Sequence, residues 1–246
     1  MANLAQVLVF VFTVVWLGLV LALLPLNAAL CVRDVPTKME SNAMRFIYVM
    51  DPMCAWCFAF QPELEQFLAQ HPTAEVDWIM GGLAPDNDEP MDDNLKQTIS
   101  SYWYQIEKVS HVTFNHSYWE LNIPYRSTYQ ACRAVISAEN MVESSSEKMV
   151  KAIQSAYYFE AKNPSLNQTL IDCAKSLNLS ESQFALKLKS KEIEQQFQDH
   201  LHIAGRLQVS GFPALFYVSE SNQAYPLALG YCKSEELSKR FTQVNT

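Results

Sequence analysis

The chain predicts an α/β fold in which a long helical stretch interrupts one sheet. Three observations lead there. A short apolar run, an amphipathic stretch and a second short apolar run follow one another between Met44 and Gly82. About a hundred residues of helical character come next. Two more β-rich runs and a final helical pattern close the chain, so the order is βαβ, helices, ββα.

Each element has a local reason. "MRFIYVMD" (44–51) is apolar with a β-rich middle, the pattern of a buried strand. The pair Asp51-Pro52 marks a loop. Over residues 54–70, Trp56, Phe60, Leu64, Phe67 and Leu68 recur at roughly helical spacing. "AEVDWIMGGL" then reads as a second strand ending at Gly81-Gly82, and a parallel pairing with the first would make the helix a crossover. "APDNDEPMDD" is an acidic turn region. In the helical stretch, Ser165 with Gln168 and Ser180 with Gln183 form capping boxes, the second with Leu179 and Phe184 placed as a staple. Phe184, Leu188, Phe197 and Leu201 keep helical spacing, broken by a shift through Ile193. "PALFYVS" and "AYPLALGY" make a hairpin through "ESNQ", and a last helix covers about residues 234–241.

The chain has 246 residues, 49% of them hydrophobic, and a net charge of −8. Arg33 and Lys38 cancel Asp34 and Glu40, so residues 1–43 add nothing to that charge. The remainder is acidic, which argues against a nucleic-acid partner. The expected division is a hydrophobic N-terminal segment (1–43), a first α/β part (44–84), a helical insertion domain (85–205) and a second α/β part (206–246). Residues 4–30 carry no charge and are long enough to span a bilayer. They read as a membrane anchor, a signal peptide or a non-native extension. "MANLAQ" lacks the basic residue a signal peptide carries. Arg33, Lys38 and Arg45 would hold an anchored domain on the cytoplasmic side. A start at Met44, after "SNA", also gives a cytoplasmic protein. Only the signal-peptide reading places it in the periplasm.

The chemistry centres on "FIYVMDPMCAWCFAF". Cys54 and Cys57 sit two residues apart at the start of a helix, where their sulfurs can meet across one turn as thiols or as a disulfide. The positive end of a helix favours thiolate, the species that attacks disulfides. The first cysteine of such a pair is the more exposed, so Cys54 is the expected nucleophile and Cys57 the resolving thiol. Zinc and an unreactive pair of core cysteines are the competing readings, and zinc needs two more ligands. Cys132, Cys173 and Cys232 are isolated, and His200 and His202 lack metal spacing. No metal is expected. Cys132 and Cys173 lie on helical faces and read as buried small residues. Asp51 reads as a turn or cap residue and Asp77 as a solvent-facing strand residue. Each has a second reading: Asp51 could tune the site, and Asp77 could be a proton carrier for Cys57. In "VSGFPALF", Pro213 follows Phe212 at a strand start. A cis proline there would stand beside the cysteine pair, and the Phe212 backbone could hold an extended substrate. Trp56, Phe212 and Pro213 are the candidate substrate-binding residues.

The βαβ…ββα order is that of a thioredoxin-like fold, with the cysteine pair where that fold places it. On "DPMCAWCFAF", the "GG" after the second strand, "YQACRAVISAE" and "GFPALF", the chain resembles the DsbA-like family, in which an all-helical domain interrupts the thioredoxin domain. Within it the motif is similar to the "DPxCxWC" of the FrnE-like branch. The resemblance implies a thiol–disulfide oxidoreductase or disulfide isomerase acting on protein or small-molecule disulfides. It implies no bound organic cofactor and makes glutathione a candidate co-substrate. It carries the nucleophile onto Cys54, the resolving cysteine onto Cys57 and the cis-proline onto Pro213. Phe212 departs from the Val or Thr common before that proline in DsbA itself, which bears on substrate preference. Two alternatives stand. One is a glutathione-dependent enzyme of the kappa-class transferase or 2-hydroxychromene-2-carboxylate isomerase type, which keeps a single Ser or Cys. The other is a redox-inactive holdase or binding module.

Overall fold

A computed structural model describes residues 30–31 and 44–245. The apolar stretch read as an anchor, signal or extension therefore lies, apart from Leu30, outside the described residues. Among the described residues no helix is long and apolar enough to cross a membrane.

The elements, in order, are β1 (Leu30–Cys31), β2 (Arg45–Met50), α1 (Ala55–Leu68), β3 (Glu75–Met80), α2 (Asp93–Ser110), α3 (Tyr118–Leu121) and α4 (Tyr129–Met141). Then come α5 (Ser146–Tyr158), α6 (Asn167–Ser176), α7 (Glu181–Leu188), α8 (Lys191–Arg206), β4 (Ala214–Val218), β5 (Gln223–Leu229) and α9 (Ser234–Val244). The sheet runs β1-β5-β4-β2-β3. β2 and β3 are parallel in the expected crossover, and the β4–β5 hairpin adds antiparallel to β2. The two-residue edge strand β1, antiparallel to β5, has no signal in the sequence.

β2 is a near-continuous apolar run because it is buried on both faces. Phe46, Tyr48 and Met50 belong to the large core with α1 and α9, which bury Leu64, Phe67, Leu237 and Phe241. Ile47 and Val49 join a smaller core with Ile79, Phe216, Ile203, Ala204 and Leu207. The last turns of α8 thus cover the sheet's second face, while its start packs with the other helices through Ile193 and Phe197.

Helix starts follow less regular rules than the capping pattern. Asp92, in the acidic turn, caps α2 by accepting the Leu95 N–H at 2.8 Å. Ser165 caps nothing: α6 begins at Asn167 behind Leu166, and the Ser165 hydroxyl donates instead to the Ser127 carbonyl at 2.8 Å. Ser180 occupies the cap position of α7, but its hydroxyl meets Ser182 at 3.4 Å rather than a backbone N–H. A side-chain hydroxyl takes whichever partner the tertiary structure offers, which a four-residue pattern does not contain.

Candidate active site

Cys54 stands at the N-cap of α1 with extended backbone angles (φ −80°, ψ 115°). Its N–H donates to the Asp51 carbonyl at 3.0 Å, and its carbonyl accepts from Phe58 N–H at 3.1 Å. These bonds turn the chain from β2 into α1 and aim the Cys54 sulfur at the Phe212 carbonyl, 3.9 Å away. The Phe212–Pro213 peptide is cis. Cys57, one turn along, is fully buried, whereas Cys54 retains 6% exposure, so a substrate sulfur has access to Cys54 alone. Both are free thiols. Burial pushes the Cys57 thiol well up, the adjoining Cys54 sulfur adds to that, and the Asp51 backbone N–H opposes it.

Asp51 is the hub of the loop between β2 and α1. It is completely buried. One carboxylate oxygen accepts the Met53 N–H at 2.8 Å. The other accepts the Leu83 N–H at 2.7 Å, the Thr128 hydroxyl at 2.6 Å and the Cys132 thiol at 3.4 Å. Burial raises its pKa above the ordinary carboxylate range, against the pull of those donors. The expected turn role is present in the Met53 bond. The other bonds tie the loop to the end of β3 and to the start of α4. A second tie comes from α5, where the Tyr158 hydroxyl donates to the Met53 carbonyl at 2.8 Å. Tyr158 stacks on Phe58 of α1 with ring centroids 4.6 Å apart. Helices that interrupt the sheet in sequence thereby hold the cysteine loop in space.

The wall opposite Cys54 is built around Phe212. A Cβ on Gly81 would come within 2.1 Å of the Phe212 ring, so the ring packs directly on glycine backbone. Gly82 has φ +67°, and a Cβ there would meet Tyr129 and Leu201. Just before this pair, the Met80 N–H donates to His200 Nδ1 of α8 at 3.0 Å. That bond requires a neutral imidazole, and burial pushes the His200 pKa down to about 4. The depressed value sets the sign. Above the unfolded-state pKa of about 6.5 the stabilisation is fully present, and it is lost as pH falls through the window from about 6.5 to about 4. The gap corresponds to roughly 3 kcal/mol. We expect urea unfolding from pH 7.5 to 4 to show that loss in the wild type. His200→Asn, whose amide oxygen can accept the same N–H without titrating, should flatten it. Parallel curves for the two proteins would rule out His200 as the source.

Of the sequence-predicted residues, Cys54, Cys57, Phe212 and Pro213 converge. Trp56 is half-buried beside Tyr231 at 5.6 Å between rings, flanking the pair. Asp77 does not converge. It pairs with Arg45 in register with Ile47, on the opposite sheet face from Tyr48 and Cys57. The proton-carrier reading of Asp77 fails on the pleat, because adjacent strand residues face opposite ways. Cys132 and Cys173 are buried as expected, but the Cys132 bond to Asp51 was not visible in its helical spacing. Among the described residues, no group of three or more His, Cys, Asp and Glu side chains could hold a metal ion. Tyr48, Thr128, Tyr158 and His200 were missed as neighbours of the site. Only Tyr48 had a usable signal, since it shares the β2 face of Phe46 and Met50.

Residues 47–238 match the family model of the DSBA-like thioredoxin domain. Among solved structures, the chain is similar to a candidate protein disulfide isomerase from Nitrosomonas europaea, with 25% identity and a TM-score of 0.72 over 82% of this chain and 97% of that one. It is also similar to the cytosolic disulfide reductase DsbM from Pseudomonas aeruginosa, with 20% identity and a TM-score of 0.68 over 82% of this chain and 98% of that one. The same reductase with GSH aligns at 21% identity and a TM-score of 0.67, over 82% of this chain and all of that one (100%). No curated protein matches the chain at a significant level.

Proposed function

The chain belongs to the DSBA-like thioredoxin domain family, and from that premise we propose that it exchanges disulfides through a Cys54–Cys57 redox pair. One observation carries this reading: a barely exposed Cys54 thiol faces the carbonyl of a cis Phe212–Pro213 peptide, with the buried Cys57 one helical turn away. The Cys54 thiolate attacks a substrate disulfide, RS–SR, forming a mixed disulfide and releasing RSH. Cys57 then attacks the Cys54 sulfur, closes the intramolecular disulfide and releases the second RSH. The substrate gains the two electrons that the enzyme loses. In the isomerase mode, Cys54 is released again after the substrate reshuffles. The peptide around Phe212 and the Trp56 face bind the substrate chain. The helical insertion, taken as residues 85–205, fixes the loop that carries Cys54.

The reaction needs no metal and no bound organic cofactor in this reading. Glutathione serves as the co-substrate, for which the neighbour solved with GSH is the support. The similarity to a cytosolic reductase supports work in the cytoplasm, where an ordinary pair is held reduced and acts as reductase or isomerase.

The test is the reduction potential of the pair, measured by equilibrating the full chain in glutathione buffers, alkylating and assigning thiols by peptide mass spectrometry. A reversible two-electron couple near roughly −270 mV assigns a reductase, and one near or above roughly −200 mV an oxidant or isomerase. A Cys54 that only accumulates glutathione, with no reversible pair, overturns the reading in favour of the glutathione-dependent class.

A further inference from the structure

In the resolving step the Asp51 backbone N–H is the donor so far described at the Cys57 sulfur, and Cys57 stays well above its ordinary range despite it. Cys57 must become a thiolate while fully buried, and burial, the Cys54 sulfur and the Asp51 charge all oppose that. A donor of a hydrogen bond to the Cys57 sulfur would ease the step. One side chain is placed for it.

Tyr48 lies on β2, on the face shared with Phe46 and Met50, directly beneath α1 in the large core. It has no exposed surface. Its ring is fixed by Phe60 of α1 at 5.9 Å and by Trp78 of β3 at 5.1 Å. Among the described residues its hydroxyl makes no hydrogen bond of ordinary geometry. A buried, unpartnered hydroxyl costs on the order of 1–3 kcal/mol, so its presence calls for an explanation. The titratable groups it faces are Cys57 first and then Cys54. We propose that the Tyr48 hydroxyl is the hydrogen-bond donor to the Cys57 thiolate in the step that resolves the mixed disulfide.

The Tyr48 hydroxyl already lies within hydrogen-bonding influence of Cys57, and the contact strengthens as charge develops on that sulfur. Burial raises the Tyr48 phenol well above its ordinary range, so it stays protonated at every working pH and keeps a proton to donate. The step balances without it being consumed. The Cys57 thiolate forms the S–S bond to Cys54, the bond from Cys54 to the substrate sulfur breaks, and the departing thiolate leaves as a thiol with the proton that Cys57 gave up. Phenylalanine would fill the same space without the donor. The titratable groups around Cys57 are Cys54 and Asp51 from its own loop, Tyr48 from β2 and Tyr158 from α5. Tyr158 is already committed, its hydroxyl donating to the Met53 carbonyl, which leaves Tyr48.

The proposal rests on Cys57 as the resolving thiol, and its test separates the two ideas. Reduced wild type and Tyr48→Phe are mixed with oxidised glutathione, quenched in acid at millisecond intervals and analysed by intact mass. The glutathionylated form and the intramolecular disulfide are followed from pH 6 to 9. We expect collapse of the mixed disulfide to slow by about tenfold or more in Tyr48→Phe, the loss associated with one hydrogen bond to a charged group. The pH at which collapse reaches half its limit should rise, while the bimolecular attack by Cys54 keeps its rate. A merely structural role would not move that pH profile. Collapse at the wild-type rate with the wild-type profile would overturn the proposal. If the wild type itself shows no collapse, the resolving role of Cys57 fails instead. Should Tyr48→Phe not fold, difluorotyrosine at position 48 replaces it. Its more acidic hydroxyl should lower the pH midpoint of collapse, and an unchanged midpoint would again overturn the proposal.

Discussion

A Cys54→Ser protein is expected to lose turnover of disulfide substrates by at least roughly a thousandfold, while Cys57→Ser accumulates covalent mixed disulfides. The asymmetry follows from access and geometry. Cys54 has the only sulfur of the pair that a substrate can reach, and Cys57 is sealed beneath it. A serine at position 54 has no thiolate to offer, so no bond to substrate forms. A serine at position 57 leaves the first attack intact and removes the thiol that ends it. The check is a model disulfide assay together with non-reducing electrophoresis and mass spectrometry of the modified peptide. If Cys57→Ser captures nothing from a disulfide substrate while the wild type turns it over, the two roles are assigned wrongly. Thermal unfolding of each variant separates chemistry from folding, since Cys57 sits in the large core.

Asp51→Ala is expected to cost about 3–5 kcal/mol of stability, the largest effect on folding of any single substitution considered. Removing the carboxylate leaves the Met53 and Leu83 N–H groups, the Thr128 hydroxyl and the Cys132 thiol without their acceptor. Each buried unpaired donor carries a desolvation penalty. Asp51→Asn should lose less, about 1–2 kcal/mol, because its oxygen can serve the three donors on one side while its amide faces the Met53 N–H. Activity should fall further in Asp51→Ala than its remaining folded fraction explains, because the loop that presents Cys54 loses its ties to β3 and α4. Urea unfolding at pH 7 measures the first claim and kcat of the folded protein the second. A loss below about 1 kcal/mol in Asp51→Ala would show that the four bonds do not hold the loop.

The hinge between sequence and structure lies at that loop. Strands β2 to β5, the first helix, the hairpin and the shift through Ile193 were legible because each follows from the period of apolar residues along the chain. The two cysteines and Phe212-Pro213 were legible because their chemistry is local: two sulfurs one turn apart and a proline at a strand start. The helix start at Ser180 was legible, but the cap bonds expected of Ser165 and Ser180 do not form, because a hydroxyl has several partners within reach and local pattern names only one. Asp51 was read as a turn residue, which is the near half of its bonding. The far half reaches Thr128 and Cys132, more than seventy positions along, and no local rule extends so far.

The sequence by itself determined the α/β order with its helical interruption, the cysteine pair at a helix start and the proline that faces it, because these depend on spacing over a few residues. Tertiary structure alone decided that Asp77 lies on the wrong face, that Tyr158 and Thr128 brace the cysteine loop, that a neutral His200 supports β3, and that Tyr48 is buried in the same core as Cys57. The physical reason is that burial, desolvation and hydrogen-bond partnership belong to pairs of groups brought together only when the sheet closes beneath its helices.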